Sequence, residues 1–499
     1  MDVHSVHKNR ALPLSSSGNR RIGFWSHGKA RDKPCQSAEC APQGNVFRDT
    51  RVPESVRVSA QMTQTPWGDS TQLRARKLAP GYRLPPDSVA RNQRWRLMAA
   101  MVAAVAEHGY EKTTVGQVVE LSGVSRTAFY RHFADKEDCF VAAVDGTIQF
   151  AMAAVTEAHG RDSTWDGRLI AAFEAFVEQI VAQPAAARAC FLEVYVAGGR
   201  AIEHTNQGAA AFESWIVAGC EQSDDYAGID PTVVRGIVGG VRKVIFKRLR
   251  LGQEARLPEL APQLADWALA YRTPSVAIRR PRLRAPAGNG EPRFVAHDQV
   301  ERIFAALAAV VREKGYWAMT LDDVAERAQT SFSTFYSHFR TKEDAFLAAY
   351  DTGVAQAYAA ALPPYQRAPD WPHAVRAALE GFLGYLARET DWAHAGVVEV
   401  LAAGRRGMER RDDAVEMFAA LLDPGFELAP AVPRVAAEAI GGAIYDLLYD
   451  HIRERGADRL PELLPIATFI ALAPFTGHQE AAAVANERSR RRARLDPAS

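Results

Sequence analysis

One long stretch of this chain is written twice, 206 residues apart, and the repetition bounds the fold before any single motif is read. From Leu97 the apolar positions Leu97, Met98, Met101, Ala104 and Val105 return as Ile303, Phe304, Leu307, Val310 and Val311, at i, i+1, i+4, i+7 and i+8 in both places. That spacing is one buried face of an α-helix. The offset then holds without a gap through Gly109 and Gly315, Tyr130 and Tyr336, Trp165 and Trp371, Glu193 and Glu399, to Phe212 and Phe418. Beyond there it slips by a few residues, pairing Gly239-Gly240 with Gly441-Gly442 and Leu257-Pro258-Glu259-Leu260 with Leu460-Pro461-Glu462-Leu463. The duplication therefore covers whole domains, and its helical period predicts an all-α chain of two tandem units.

Size agrees, since 499 residues exceed what one core organises, and 47% hydrophobic with 24% charged residues is a globular balance. The 60 Lys and Arg nearly cancel the 59 Asp and Glu, so a nucleic-acid partner has to be argued from local sites. Five cysteines (Cys35, Cys40, Cys139, Cys190, Cys220) form no CxxC pair, which fits a reducing compartment. No run of 18 apolar residues and no signal-peptide core is seen, so the expectation is a cytoplasmic protein with no membrane partner. The sequence holds no Gly-rich phosphate loop, nucleophile elbow or metalloprotease helix, and neither His132 nor His338 has a second His at i+4. It reads as no enzyme, with no cofactor and no metal.

Residues 1–88 carry 14 Lys or Arg against 7 Asp or Glu with no sustained period, and read as a disordered basic N-terminal arm. Either it is a flexible DNA-contacting arm or it is leader sequence ahead of a true start at Met62; the second is preferred, because basic excess without a groove-reading pattern is a weak signal. Residues 275–293, rich in Arg, Pro and Gly, read as a linker, and 479–499, with five arginines from Arg488 to Arg494, as a basic C-terminal tail. Arg242, Lys243, Lys247, Arg248 and Arg250 read as a solvated helix face.

Thr114 to Phe133 reads TVGQVVELSGVSRTAFYRHF. Thr114 with Gln117 is a capping-box pair that starts a helix with Val115, Val118 and Val119 inward. Gly123 supplies the left-handed residue of a tight turn, and Ser125 to Phe133 forms a second short helix. Its Ser125, Arg126, Thr127 and Arg131 are free to face outward while Phe129 and Phe133 anchor it, an arrangement that fits a DNA major groove. Asp135-Lys136-Glu137-Asp138 then caps the next helix, placing Lys136 at a positive helix end suited to phosphate.

The segment EHGYEKTTVGQVVELSGVSRTAFYRHFADKED resembles the DNA-binding region of TetR-family transcriptional regulators, and EKGYWAMTLDDVAERAQTSFSTFYSHFRTKED resembles it again. Gly-Tyr before the capping Thr, Phe-Tyr-x-His-Phe in the second helix and Lys-Glu at the next cap carry the likeness. It implies two TetR-like units, each a three-helix helix-turn-helix DNA-binding head (89–151 and 294–357) and a helical core (152–274 and 358–478). Each core would bind a small molecule of unknown identity and dimerise through its last two long helices. Carried over by residue, Ser125, Arg126, Thr127 and Arg131 would face the groove of a double-stranded operator. Thr114, Tyr130, His132 and Lys136 would contact phosphates or support those contacts. In copy 2 the matching positions are Phe332, Ser333 and Ser337, with Thr320, Tyr336, His338 and Lys342 toward phosphates.

Copy 2 departs from the pattern at the turn and on the reading face. Gln329 and Thr330 replace the turn Gly and Val, and Phe332 and Ser337 replace two arginines. A non-Gly residue in a left-handed turn costs on the order of 1 kcal/mol, and losing two cations weakens phosphate and guanine contacts, so copy 2 is expected to be a weak reader or none. In the cores, Phe150, Phe173, Phe176, Phe191, Tyr195 and Trp215, with Tyr350, Tyr358, Phe382, Tyr385 and Trp392 in copy 2, stand between cavity lining and ordinary packing, with packing favoured. The preferred expectation is a ligand-responsive repressor that folds as an intramolecular pseudo-dimer and reads two unlike half-sites. The alternatives are a homodimer of chains in which copy 1 alone reads DNA, and an interaction scaffold without DNA binding.

Overall fold

The computed structural model describes residues 62–78, 85–160, 162–281 and 298–488. Most of the N-terminal arm, much of the linker and the end of the C-terminal tail lie outside the described residues. Within the arm, Gln64–Thr65 (β1) and Gly68–Asp69 (β2) pair antiparallel, Gln64 opposite Asp69 and Thr65 opposite Gly68. Leu73 beyond them is 1% exposed, and the Trp67 ring lies against Gly146, where a Cβ would come within 2.6 Å of it. Residues 62–78 thus depart from the patternless arm expected of 1–88. A two-residue strand pair is too short to show a period, and its anchors, Leu73 and Trp67, act on residues far along the chain.

Copy 1 begins at α1, Pro86–His108, with Pro at the first turn, where its missing N–H costs nothing. Then come α2 (Val115–Ser122), α3 (Arg126–His132) and α4 (Lys136–His159), each started by the side chain of the preceding Thr114, Ser125 or Asp135. Leu97, Met101 and Val105 of α1 close the head core with Val118, Phe129, Phe133 and Phe140. Overall α4 is apolar enough for a membrane span. Its apolar residues are used inside the protein instead, Phe140 and Val144 in the head core and Ile148 and Val155 on a cavity wall. Next are α5 (Trp165–Ala182), α6 (Pro184–Ala197, opened by a π-turn at Ala189–Glu193), α7 (Gly199–Cys220), α8 (Pro231–Arg250) and α9 (Leu257–Leu269).

Copy 2 repeats the order. Its head is α10 (Gln299–Lys314), α11 (Leu321–Ala328), α12 (Phe332–His338) and α13 (Lys342–Gln366). Its core is α14 (Trp371–Arg388), α15 (Thr390–His394), α16 (Gly404–Ala419), α17 (Val435–Arg455) and α18 (Leu464–Thr476). Even the π-turn recurs, at Ala395–Glu399. The last helix has no counterpart in copy 1. After Gly477, at φ 81°, α19 (His478–Ala485) buries Ala481, Ala482, Val484 and Ala485 in the segment expected to begin a solvated tail. Its small alanines carry little hydropathy signal, yet they pack closely. The end of α19 also holds the start of the expected linker: Asn486 accepts the Arg279 N–H at 2.7 Å and donates to the Ala277 carbonyl at 3.0 Å.

The largest core is shared by the two copies, with α8, α9, α17 and α18 packed around it. Helices α8 and α17 approach closely because glycines meet there. A Cβ at Gly240 would lie 2.5 Å from the Ala439 carbonyl oxygen, and one at Gly442 would lie 2.3 Å from Lys243 Cβ. The buried Tyr271 hydroxyl donates to the Ile470 carbonyl at 2.9 Å, joining α18 to the residues just after α9. The basic residues of α8 are therefore not a solvated face. Lys243 is 4% exposed, and Arg248 meets Glu438 of α17 at 3.0 Å. Spacing along α8 could not reveal acids that lie about 170–190 residues downstream.

Candidate nucleic-acid interface and ligand cavities

In the first head the Thr114 hydroxyl accepts the Gln117 N–H while the Gln117 side chain accepts the Thr114 N–H at 2.7 Å, the reciprocal cap that starts α2. Gly123 sits in the left-handed region at φ 62°, and Val124, 4% exposed, fills the angle between α2 and α3. Ser125 caps α3, whose Ala128 and Phe129 point inward. Thr114, Ser125, Arg126, Thr127, Tyr130 and Arg131 are left exposed together. Among the described residues, neither Arg126 nor Arg131 has an acidic partner.

Two candidates are placed differently. His132 Nε2 sits 3.0 Å from Gln93 Oε1, and burial with nearby Arg94 and Arg131 lowers its pKa, which favours the neutral ring. Lys136 is half-buried: its ammonium donates to the Tyr110 carbonyl at 3.0 Å and lies over the Tyr110 ring. It ties α4 to the turn after α1 instead of projecting toward solvent. Sequence reasoning missed Arg96, which is 5% exposed and donates to the Ser122 carbonyl at 2.8 Å, closing the end of α2. It also missed Arg74, whose Nε donates to the Glu120 carbonyl at 2.8 Å and which lies against the Gly123 turn.

The second head has the same frame with a different outward face. Gln329 takes the left-handed turn at φ 52°, the one non-Gly residue with positive φ among the described residues. Thr320 and Asp323 form the reciprocal cap, and Lys342 donates to the Tyr316 and Met319 carbonyls at 3.2 and 3.1 Å, as Lys136 does in copy 1. Thr320, Phe332, Ser333, Tyr336, Ser337 and His338 are exposed. Phe332, 45% exposed, stands where copy 1 presents Arg126, and Ser337 where it presents Arg131, while Tyr336 is exposed as its match Tyr130 is.

Behind each head lies an apolar cavity, about 140 Å³ in copy 1 and about 160 Å³ in copy 2. Of the aromatics named above, Phe150, Phe173, Phe176, Phe191 and Trp215 line the first, and Tyr350, Phe382, Tyr385 and Trp392 the second. Tyr195 instead packs on Phe246 and Tyr358 on Phe418. Each wall carries one cation, Arg242 or Arg411. The Arg411 guanidinium is held between the Phe246 and Tyr445 rings, 4.5 and 5.1 Å from their centroids.

The sequence model of the tetR family of bacterial regulatory proteins matches residues 97–143 and, again, residues 303–349. The chain carries the DNA-binding domain of the tetR family twice. The repressor AcnR of Corynebacterium glutamicum is 43% identical to this chain over 51 residues, which is 10% of this chain and 27% of AcnR. The chain thus spans about a quarter of the length of that relative. The activator FasR of Mycolicibacterium smegmatis is 25% identical over 175 residues, 35% of this chain and 70% of FasR. Among solved structures, the fatty acid degradation regulator FadR of Bacillus halodurans aligns at 17% identity and a TM-score of 0.33, over 38% of this chain and 97% of its own. FadR of Bacillus subtilis, solved in complex with stearoyl-CoA, aligns at 18% identity and 0.32, over 35% and 96%. The stretches matched by the family model run from α1 into α4 and from α10 into α13, so each match falls on one of the two helix-turn-helix heads.

Proposed function

We propose that this TetR-family chain is a cytoplasmic, ligand-responsive transcriptional repressor that works as an intramolecular pseudo-dimer. The packing of α8 on α17 carries the reading, because one chain then supplies both halves of a paired core with a helix-turn-helix head at each side. Two recognition helices about one DNA turn apart, roughly 34–36 Å, would meet successive major grooves. In copy 1 the reading residues are Ser125, Arg126, Thr127 and Arg131, with Thr114 and Tyr130 toward phosphates and His132 and Lys136 as supports. In copy 2 Phe332, Ser333 and Ser337 occupy the same places, with Thr320, Tyr336 and His338 beside them and Lys342 as a support. The two faces differ, so the operator has two unlike halves.

The cavities support a regulatory ligand. A dry apolar space on the order of 150 Å³ accepts a benzene-sized guest, and a longer one enters by displacing aromatics such as Phe382 or Phe418. The one cation on each wall is already paired, Arg242 with Asp446 and Arg411 with Asp412, so the lining favours a largely apolar molecule. A ligand that fits one arrangement of the cores better than another would shift the spacing of the heads. AcnR is a repressor and FasR an activator; repression is the sign proposed here.

A second reading has its own support. The loss of both arginines from the outward face of α12 favours a homodimer of chains in which copy 1 alone reads DNA. Selection of bound duplexes from random sequence by the full-length protein separates the two. Two unlike half-sites about one turn apart support the pseudo-dimer; a palindrome means that copy 1 reads alone. No enrichment at all would leave an interaction scaffold.

A further inference from the structure

The charges that α8 of copy 1 turns to copy 2 are all positive and those that receive them are mostly negative, although copy 2 sets Arg411 on Phe246 of α8 and Arg235 also meets Glu213 of its own copy at 3.3 Å. Helix α8 carries Arg235, Arg242, Lys243, Lys247, Arg248 and Arg250 and not one acid. Each of the six meets a carboxylate of copy 2. Arg242 pairs with Asp446 at 3.3 Å, Arg235 with Asp450 at 3.7 Å and Arg248 with both oxygens of Glu438 at 3.0 and 3.2 Å, all three acids on α17. On α16, Asp412 receives Lys243 and, at 2.8 Å, Arg250, and Glu416 receives Lys247. In the opposite direction a longer pair, Arg453 to Glu203 at 3.9 Å, joins the copies.

The repeat tells what either copy would meet in a partner of its own kind. With Gly239-Gly240 on Gly441-Gly442, the copy 1 residues at the places of Glu438, Asp446 and Asp450 are Gly236, Val244 and Arg248. With the earlier offset, those at the places of Asp412 and Glu416 are Asn206 and Ala210. A copy 1 surface facing another copy 1 would therefore lose these five acids and gain an arginine. Conversely, copy 2 holds Ala437, Ile444, Tyr445 and Tyr449 where copy 1 holds Arg235, Arg242, Lys243 and Lys247, so it offers its own acids no such cations. Lys243 and Asp412 are 4% and 2% exposed, and charges so buried are strongly unfavourable without a partner; Asp412 has Arg411 of its own copy at 3.1 Å, so of the two it is Lys243 that depends wholly on the other copy.

We infer that the α8 surface of copy 1 is an interaction surface coded for the acidic α16–α17 surface of copy 2, and that it rejects both a second copy 1 and any neutral or basic surface of the same shape. Such coding is a like-charge exclusion added to an apolar, glycine-mediated contact. In a cell that holds other proteins of this fold, it keeps the chain paired with itself. The inference rests on the pseudo-dimer reading only in taking α8 and α17 as the pairing helices.

The test uses the full-length chain with a protease site placed between residues 284 and 286. The protein is folded intact and cut, and the two halves are kept together. Equal amounts of unlabelled and heavy-isotope-labelled cut protein are then unfolded and refolded as a mixture, and native mass spectrometry identifies the pairs. Every pair is expected to hold one copy 1 and one copy 2, with the labels distributed at random. Recovery of copy 1 with copy 1, or copy 2 with copy 2, overturns the inference. Should the cut halves not refold, the intact chain decides. Arg248→Glu and Glu438→Arg are each expected to lower the thermal midpoint by about 5 °C, and the double variant to recover most of the loss. Simple addition of the two losses overturns the inference as well. A palindromic operator would end the single-chain reading of DNA and leave this pairing rule standing, whereas like-with-like pairs would do the reverse.

Discussion

The Glu193 carboxylate accepts the backbone N–H of Tyr110 at 2.8 Å, across 83 residues of sequence. Glu399 does the same for Tyr316, at the same distance and the same separation. Each glutamate ends a π-turn whose other residues, Cys190 and Phe191 or Ala395 and Val397, line a cavity. Each tyrosine follows the Gly that ends the first helix of a head and takes the lysine of the next long helix on its carbonyl and ring. The wall of the cavity is thus one hydrogen bond from the head. Replacing Glu193 by Ala leaves a half-buried N–H without its acceptor, which costs about 1–3 kcal/mol. We expect a lower unfolding free energy together with faster hydrogen exchange at the Tyr110 amide. An unchanged exchange rate there would mean that Glu193 does not hold the head.

In the proposed reading, Arg126 and Arg131 carry the electrostatic part of DNA binding and Lys136 does not. Removing the two arginines together should lower the slope of log K against log salt by about 2 if both meet phosphates, and a base contact made by Arg126 is worth about 1–3 kcal/mol of discrimination. Lys136→Met should leave the salt slope as it is and reduce stability by about 1 kcal/mol, because its ammonium is already spent on the Tyr110 carbonyl. Titrations of a selected duplex at several salt concentrations, alongside urea unfolding, separate these outcomes. A salt slope that falls with Lys136→Met would return that residue to the phosphate contacts.

The features readable in the sequence are those whose cause is local. Thr114 with Gln117, Gly123 in its turn and the inward Phe129 each follow from residues three or four apart, and the 206-residue repeat extends them to copy 2. Partners hundreds of residues apart are another matter. The pattern of α8 carries nothing of Asp412, 169 residues beyond Lys243, so its cations read as solvated. The helix cap at Lys136 is legible, but its spacing carries nothing of the Tyr110 carbonyl, 26 residues earlier, on which the ammonium is held. Leu73 looked like part of a patternless arm because its burial depends wholly on the head it packs against.

Gln329 holds a left-handed turn that costs an L-residue with a side chain roughly 1–2 kcal/mol relative to Gly. Gly loses more backbone entropy on folding, which offsets part of the gain. Gln329→Gly is therefore expected to stabilise the protein by about 0.5–1 kcal/mol, read as a higher urea midpoint at constant slope. Gly123→Gln in copy 1 should do the opposite, and more severely. Its φ is 62°, and a Cβ there would also lie 3.1 Å from Arg74 Cγ. Equal effects at the two turns would count against backbone conformation as their cause.

The α8–α17 contact also carries a titration near neutral pH. Burial and the neighbouring Asp446 push the Asp450 carboxyl up to about 6, while Arg235 and Arg242 oppose the shift and Glu454 adds to it. In the unfolded chain the same group ionises near 3.8, so between about pH 4 and 6 the folded protein binds more protons than the unfolded one. This group's contribution to stability is therefore fully present below pH 4, falls as the pH rises through 6, and is flat above. Asp450→Asn removes the titration but keeps a side chain of the same shape beside Arg235. Compared with the parent, the variant should gain relative stability as the pH is raised from 4.5 to 7 and show no further change to pH 8. Parallel stability curves for the two proteins across that range would mean that Asp450 ionises at its ordinary value.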